Sequence, residues 1–131
     1  MTQKSPAHIV EAFYDALEQR DFETVLGVLR EDAALWNEHE RTDHSARFFF
    51  SSSNPLWSAV SELRYAERKY SVADQEVTVE YVARGRTVRG RHFAFPVTAR
   101  LLLTSDGQGI RRIEEYFGLA DAAAFQEMLA G

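Results

Sequence analysis

The feature that most constrains the fold is a change in hydrophobic period at Leu63. Before it, apolar residues recur every three or four positions, as on one face of a helix; after it, they alternate, as in strands with one buried face. The alternating part predicts strands at 64–72, 76–83, 91–104 and 110–117, joined by turn-forming sequences. Because these strands are consecutive, a parallel α/β fold is excluded and the class is α+β.

The part before Leu63 predicts three helical segments. Ser5 followed by proline is typical of a helix N-terminus, and the apolar face continues to about Arg20. Asp21 then caps a second helix. A third segment is expected at 45–50, with one further turn at 56–60 after an interrupting Ser-rich stretch.

Three further features complete the predicted domain. A short strand is expected at 33–38, and a final helix capped by Asp121. Pro96 lies in the middle of the long third strand and predicts a bulge or bend there, which lets a sheet curl around a cavity. The sequence therefore predicts one α+β domain over 1–131, cone-shaped, with a curved antiparallel sheet, three N-terminal helices and a short C-terminal helix.

Composition excludes several classes of function. The net charge of −5 is spread along the chain, so no basic stripe exists for nucleic acid. Cysteine is absent, which excludes disulfides and thiolate catalysis, and the four histidines lack metal-site spacing. No stretch is long and apolar enough for a membrane span. We expect a cytoplasmic protein with no metal, no cofactor and no membrane or nucleic-acid partner.

Several short segments carry a resemblance to a known superfamily. Segments 13–17, 20–22 and 31–33 read FYDAL, RDF and EDA, while 106–107 and 115–121 read DG and EYFGLAD. They resemble the nuclear transport factor 2-like superfamily, and within it the SnoaL-like group, which includes polyketide cyclases, ketosteroid isomerase and limonene epoxide hydrolase. The resemblance implies a cone-shaped fold, a small hydrophobic ligand in its hollow and a homodimer.

Two mechanisms of the superfamily lack their residues in this chain. The isomerase positions fall on Phe13, Asn37 and Arg100, all of which differ from the isomerase's residues. Two of the three hydrolase positions fall near Val79 and Tyr81, which differ from the hydrolase's residues. The third falls on Glu115, which retains the acid. The resemblance therefore leaves a cyclase-like reaction, in which one carboxylate acts as general acid and base on an activated substrate.

Glu115 and Arg100 form the predicted catalytic pair. If strands three and four form a hairpin over 105–109, Thr98 lies opposite Glu115 and Arg100 lies diagonal to it, within reach. Contact with Arg100 would lower the pKa of Glu115, whereas burial would raise it, and both outcomes are left open. A purely structural ion pair is the equal alternative.

Polar residues near the end of the first strand are further candidates. Alternation places Asn37 and His39 on one face and Trp36 and Glu38 on the other. His39 suits a general base near neutral pH, or it is an exposed loop residue. The side chains expected to contact substrate are Phe13, Trp36, Trp57, Tyr81, Thr98 and Phe117.

Two functional hypotheses follow. The first is a SnoaL-like enzyme that uses acid/base catalysis on a small hydrophobic carbonyl or epoxide compound, with Glu115, Arg100, Asn37 and His39 as its catalytic residues. The alternative is a non-catalytic domain of the same fold that binds a small molecule.

Overall fold

The computed structural model of the protein describes residues 5–130. In chain order its elements are α1 (Pro6–Glu18), α2 (Phe22–Val28), β1 (Leu29–Asn37), β2 (His44–Ser45), α3 (Ala46–Phe49), α4 (Leu56–Ala59), β3 (Val60–Ala73), β4 (Glu76–Thr87), β5 (His92–Leu103), β6 (Ile110–Tyr116) and α5 (Leu119–Ala130). The α+β class and the order of helices and strands are confirmed.

Side-chain caps start the first two helices where the sequence predicts them. The Ser5 hydroxyl accepts a hydrogen bond from the His8 backbone N–H at 3.2 Å. A carboxylate oxygen of Asp21 accepts one from the Thr24 N–H at 3.2 Å. These bonds satisfy N–H groups that have no partner inside the helix, so each cap fixes a helix start.

The six strands form one sheet in the order β2-β1-β6-β5-β4-β3. Every neighbouring pair is antiparallel except β1 and β6, which run parallel. The antiparallel sheet expected from the sequence is thus mixed at one place: β1 adds to the meander beside its last strand, β6, and runs in the same direction as that strand. The sheet curves without closing, and α1 packs against its concave face.

The predicted bulge at Pro96 is wrong. β5 pairs with β4 in unbroken register through this residue. On its other side, β5 pairs with β6 only from Thr98 onward. Pro96 precedes Thr98 and so lies in a part of β5 that has a neighbouring strand on one side only, a position that tolerates proline. Irregularities lie at other places in the sheet. Two of them are in β3 between Ala66 and Lys69, where Glu67 has φ 57°, and in β6 at Arg111; the register also shifts between Val60 and Glu62 and, in β1, between Leu29 and Ala34.

The core fills one end of the space between α1 and the sheet. Val10, Phe13 and Leu17 of α1 are buried against strand residues that include Val79 and Leu101. The other end, towards α4 and α5, is hollow. Within residues 5–130, no helix has the length and apolar character that crossing a membrane requires.

Candidate functional site

A cavity of about 410 Å³ occupies the hollow end of the sheet. The concave faces of β1 and of β3 to β6 form one wall, and the turn after β1 and the helices α3, α4 and α5 contribute the rest of the lining. Its volume lies in the range of small-molecule sites, and most of its lining is apolar. The aromatic lining residues are Phe49, Phe50, Trp57, Tyr65, Tyr81, Phe93, Phe95, Phe117 and Phe125.

Helix α5 lies over the cavity, and Phe125 is its one aromatic side chain in the lining. The Phe125 ring packs edge-on against Phe93, with 4.9 Å between ring centroids, and against Phe95 at 5.5 Å. None of the described side chains of α5 is fully buried. The helix therefore acts as a cover over the cavity.

Glu115 faces this cavity from β6. In register, it lies beside Asn37 of β1 and Ala99 of β5, and its backbone carbonyl accepts a hydrogen bond from the Glu38 N–H at 3.1 Å. Among the described residues, none forms a hydrogen bond or ion pair with its carboxyl group. Burial raises the pKa of Glu115 to about 7, because desolvation penalises the ionised form. Near neutral pH the group is present as both acid and base.

Three tyrosine rings pack together beside Glu115. The centroid distances are 4.9 Å for Tyr14 and Tyr65, 5.3 Å for Tyr14 and Tyr81, and 5.1 Å for Tyr65 and Tyr81. Burial, with a smaller contribution from the Glu115 charge, raises the pKa of all three phenols above the ordinary value. Each phenol therefore stays neutral at physiological pH and can donate a hydrogen bond.

The phenols differ in their access to the cavity. Tyr65 and Tyr81 line it. The Tyr14 hydroxyl is fully buried and, within the described residues, lacks a well-formed hydrogen bond, with the Tyr81 phenol as its neighbour. Tyr81 was among the residues predicted from sequence. Tyr65 was missed, although the alternation along β3 was a signal for it.

Arg100 does not lie beside Glu115, so the predicted contact is wrong. Ala99 is the register partner of Glu115, and Arg100 pairs with Glu114 on the opposite face of the sheet. There Arg100 bonds to the carboxylates of Glu76 and Glu114. Thr98 lies on the same outer face, because its neighbours Val97 and Ala99 face inward.

Two aromatic residues expected to contact substrate lie elsewhere. Trp36 packs against Tyr116 on the outer face of the sheet, with 5.5 Å between ring centroids and 59° between ring planes. Phe13 is fully buried and packs edge-on against Phe50, so it supports the cavity wall without lining it. Both positions are corrected by the structure, whereas Trp57 and Phe117 do line the cavity.

Asn37 and His39 both line the cavity, but their polar atoms are largely engaged. The Asn37 carboxamide accepts hydrogen bonds from the His39 and Glu40 N–H groups at 3.0 and 2.9 Å, and donates to the Glu40 carboxylate at 3.1 Å. His39 Nε2 lies 2.8 Å from the Phe117 carbonyl, which can only accept, so Nδ1 alone is left for a ligand.

Glu40 stays ionised beside this turn. The hydrogen bond from Asn37, followed by that from His44 at 2.9 Å, holds the pKa of Glu40 below its usual range. The second carboxylate near the cavity is therefore a fixed negative charge, unlike Glu115.

Arg20 holds Trp57 in position. Its guanidinium lies over the Trp57 ring, 5.7 Å from the centroid, and donates to the carbonyls of Trp57 and Val60. The indole N–H donates to the Phe49 carbonyl at 2.9 Å. The cavity wall at this point is thus fixed by three hydrogen bonds.

The described residues bring no group of three or more histidine, aspartate or glutamate side chains together in an arrangement that could hold a metal ion. The chemistry available at the cavity is that of one carboxyl of raised pKa, neutral phenols and one imidazole nitrogen.

This combination defines a class: a cone-shaped α+β domain whose curved sheet holds a polar cluster at the side of an apolar cavity. The chain belongs to the SnoaL-like domain family, whose model matches residues 10–113. No protein of curated function matches the sequence at a significant level.

Solved structures share the fold over nearly the whole chain. A proposed polyketide cyclase from Pseudomonas putida is similar with a TM-score of 0.78 at 20% identity, covering 93% of this chain and 98% of that one. A proposed polyketide cyclase from Xanthomonas campestris gives 0.75 at 22%, covering 91% and 94%. An NTF2-like protein of unknown function from Burkholderia pseudomallei gives 0.77 at 14%, covering 98% and 100%. Such likeness shows the fold.

Proposed function

We propose that the protein is a small-molecule enzyme in which Glu115 carries a proton to or from a small hydrophobic carbonyl or epoxide compound. The observation that carries the proposal is an unpaired carboxyl group whose pKa is raised to about 7 inside an apolar cavity. A general acid/base is most effective when its pKa lies near the working pH. Neither a metal nor a cofactor is needed for this step.

The phenols supply the second element of the reaction. Tyr65 and Tyr81 line the cavity next to Glu115 and remain protonated. When Glu115 removes a proton beside a carbonyl, negative charge develops on the carbonyl oxygen, and a neutral phenol can donate a hydrogen bond to it. On an epoxide, protonated Glu115 would instead donate its proton to the ring oxygen as the C–O bond breaks, while a water molecule attacks the ring carbon and gives up a proton to yield the diol.

The test is turnover of a panel of small cyclic ketones, lactones and epoxides, followed by product analysis by mass spectrometry. For a compound that reacts, Glu115→Gln should lower kcat/KM by about 100-fold or more. Glu114→Gln is the matched control, because Glu114 is the residue just before Glu115 and faces the opposite side of the sheet. A Glu115→Gln protein with full turnover would remove this mechanism.

The alternative is a binding domain without catalysis. Two observations favour it: Arg100 lies outside the cavity, and the Asn37 carboxamide and His39 Nε2 already have hydrogen-bond partners within the protein. Native mass spectrometry separates the two functions, since a stoichiometric ligand that leaves chemically unchanged supports binding. The homodimer stays a prediction.

A further inference from the structure

Acidic side chains line the cavity, and basic ones lie behind its wall. Among the described residues that line it, the carboxylates are Glu40 and Glu115, and no lysine or arginine is present. The nearby arginines are engaged elsewhere: Arg20 bonds to backbone carbonyls behind Trp57, and Arg68 forms ion pairs with acidic residues of α1. An anionic ligand would therefore meet negative charge without a cation to offset it.

Glu115 lacks a partner that its ionised form requires. A carboxylate removed from water is stabilised by hydrogen bonds or by an opposite charge, and the described protein supplies neither to this group. A ligand that brings a positive charge would supply the missing partner. By the same Coulombic effect it would favour the ionised, basic form of Glu115.

The remaining walls suit a cation as well. Tyr65, Tyr81, Trp57 and Phe117 present aromatic rings to the same cavity. The face of such a ring carries partial negative charge and attracts ammonium groups, most strongly where water is excluded. The carboxylate and the rings together form a site for a positively charged head on an apolar body.

We infer that the cavity selects compact apolar molecules that carry a protonated amine, with Glu115 as the counter-ion and the surrounding rings as the cage. This inference rests on the proposed function, because it concerns the same cavity and the same carboxyl group. It narrows the substrate class: the reacting carbonyl or epoxide compound also carries a basic nitrogen. Anionic compounds of the same shape are rejected.

The test uses three probes with one rigid apolar cage and different charge: adamantylamine, adamantanol and adamantanecarboxylate. Isothermal titration calorimetry at pH 8 should show the amine binding at least about tenfold tighter than the alcohol, and the carboxylate weakest. In Glu115→Gln the advantage of the amine over the alcohol should disappear. In Glu114→Gln, whose carboxylate is on the outer face and bonds to Arg100 and Arg112, the order should be unchanged.

Each outcome decides a separate point. If the alcohol binds as well as the amine or better, amine selection is refuted while the apolar cavity and the proposed acid/base function stand. If Glu115→Gln keeps the preference for the amine, Glu115 is not the counter-ion. If none of the three probes binds at millimolar concentration, the cavity is not a ligand site, and the proposed function fails with the inference.

Discussion

Replacing Glu115 with glutamine should make the protein more stable at alkaline pH, by an amount that follows from the pKa. Burial raises the pKa of Glu115 from 4.5 to about 7. At 1.36 kcal/mol per pH unit, that difference corresponds to up to about 3 kcal/mol of lost stability once the carboxyl is ionised in the folded state. Glutamine has nearly the same shape and does not ionise, so Glu115→Gln avoids this loss.

The sign depends on pH. Below pH 4.5 the carboxyl is protonated in both folded and unfolded chains, and the two proteins should be equally stable. Between pH 4.5 and 7 the unfolded chain releases its proton while the folded chain retains it, so the wild type loses stability as pH rises. Above pH 7 the loss is complete, and Glu115→Gln should be more stable by up to about 3 kcal/mol.

Urea unfolding at pH 4.5, 6 and 8, followed by far-UV circular dichroism, measures the difference directly. Glu114→Gln is the control, and its effect on stability at alkaline pH should have the opposite sign. Burial raises the pKa of Glu114, but hydrogen bonds from Arg112 and Arg100 outweigh this and leave its pKa below the usual range. Its ionised form stabilises the fold, so this variant should lose roughly 1 kcal/mol at pH 8. If the difference between Glu115→Gln and wild type does not grow with pH, the burial argument is refuted.

Three further perturbations test the fold around the site. Gly85→Ala would drive a new Cβ into the Glu62 carbonyl on the neighbouring strand, and should cost roughly 2 kcal/mol or more in thermal unfolding; an unchanged melting temperature contradicts this close approach. Glu38→Ala removes the acceptor that holds the Phe117 N–H at 2.8 Å, so hydrogen exchange should accelerate in α5 and not in α1. Equal exchange in both helices would show that this bond does not position the cover. Leu101→Ala removes a fully buried side chain and should cost about 3 kcal/mol in urea unfolding, and a loss below about 1 kcal/mol would speak against a tightly packed core.

Local signals in the sequence were sufficient for the order of elements. Capping by Ser5 and Asp21 depends only on neighbouring residues, and so does the alternation that predicts the strands. The parallel pairing of β1 with β6 depends on contacts between residues far apart in sequence, such as Asn37 and Glu115, which no local pattern specifies. The cavity could not be predicted from local patterns either, because its walls come from elements far apart in sequence and its volume depends on how those elements pack.

The error over Arg100 has a single physical cause. Leu103 pairs with Ile110, as a simple hairpin over 105–109 requires, but Leu102 pairs with Arg112, so Arg111 is an extra residue in β6. An inserted residue shifts every later side chain of the strand to the other face. The register predicted from sequence is correct for the pair Leu103 and Ile110, next to the hairpin loop. For every later pair of β5 and β6 it is wrong by one residue.

The same bulge decides what the cavity contains. In a regular strand that starts with Ile110 facing inward, residues 112, 114 and 116 would also face inward, and Glu115 would lie outside in water. With Arg111 bulged, Ile113 is buried and Glu115 faces the cavity, while Glu114 joins the arginines of the outer face. One inserted residue thus decides which of two adjacent glutamates faces the cavity. Glu115 does so and has the raised pKa, while Glu114, whose side chain is only 13% exposed, forms ion pairs with Arg100 and Arg112. The chemistry proposed for this cavity therefore depends on a β-bulge at Arg111, several residues before the carboxyl group that performs it.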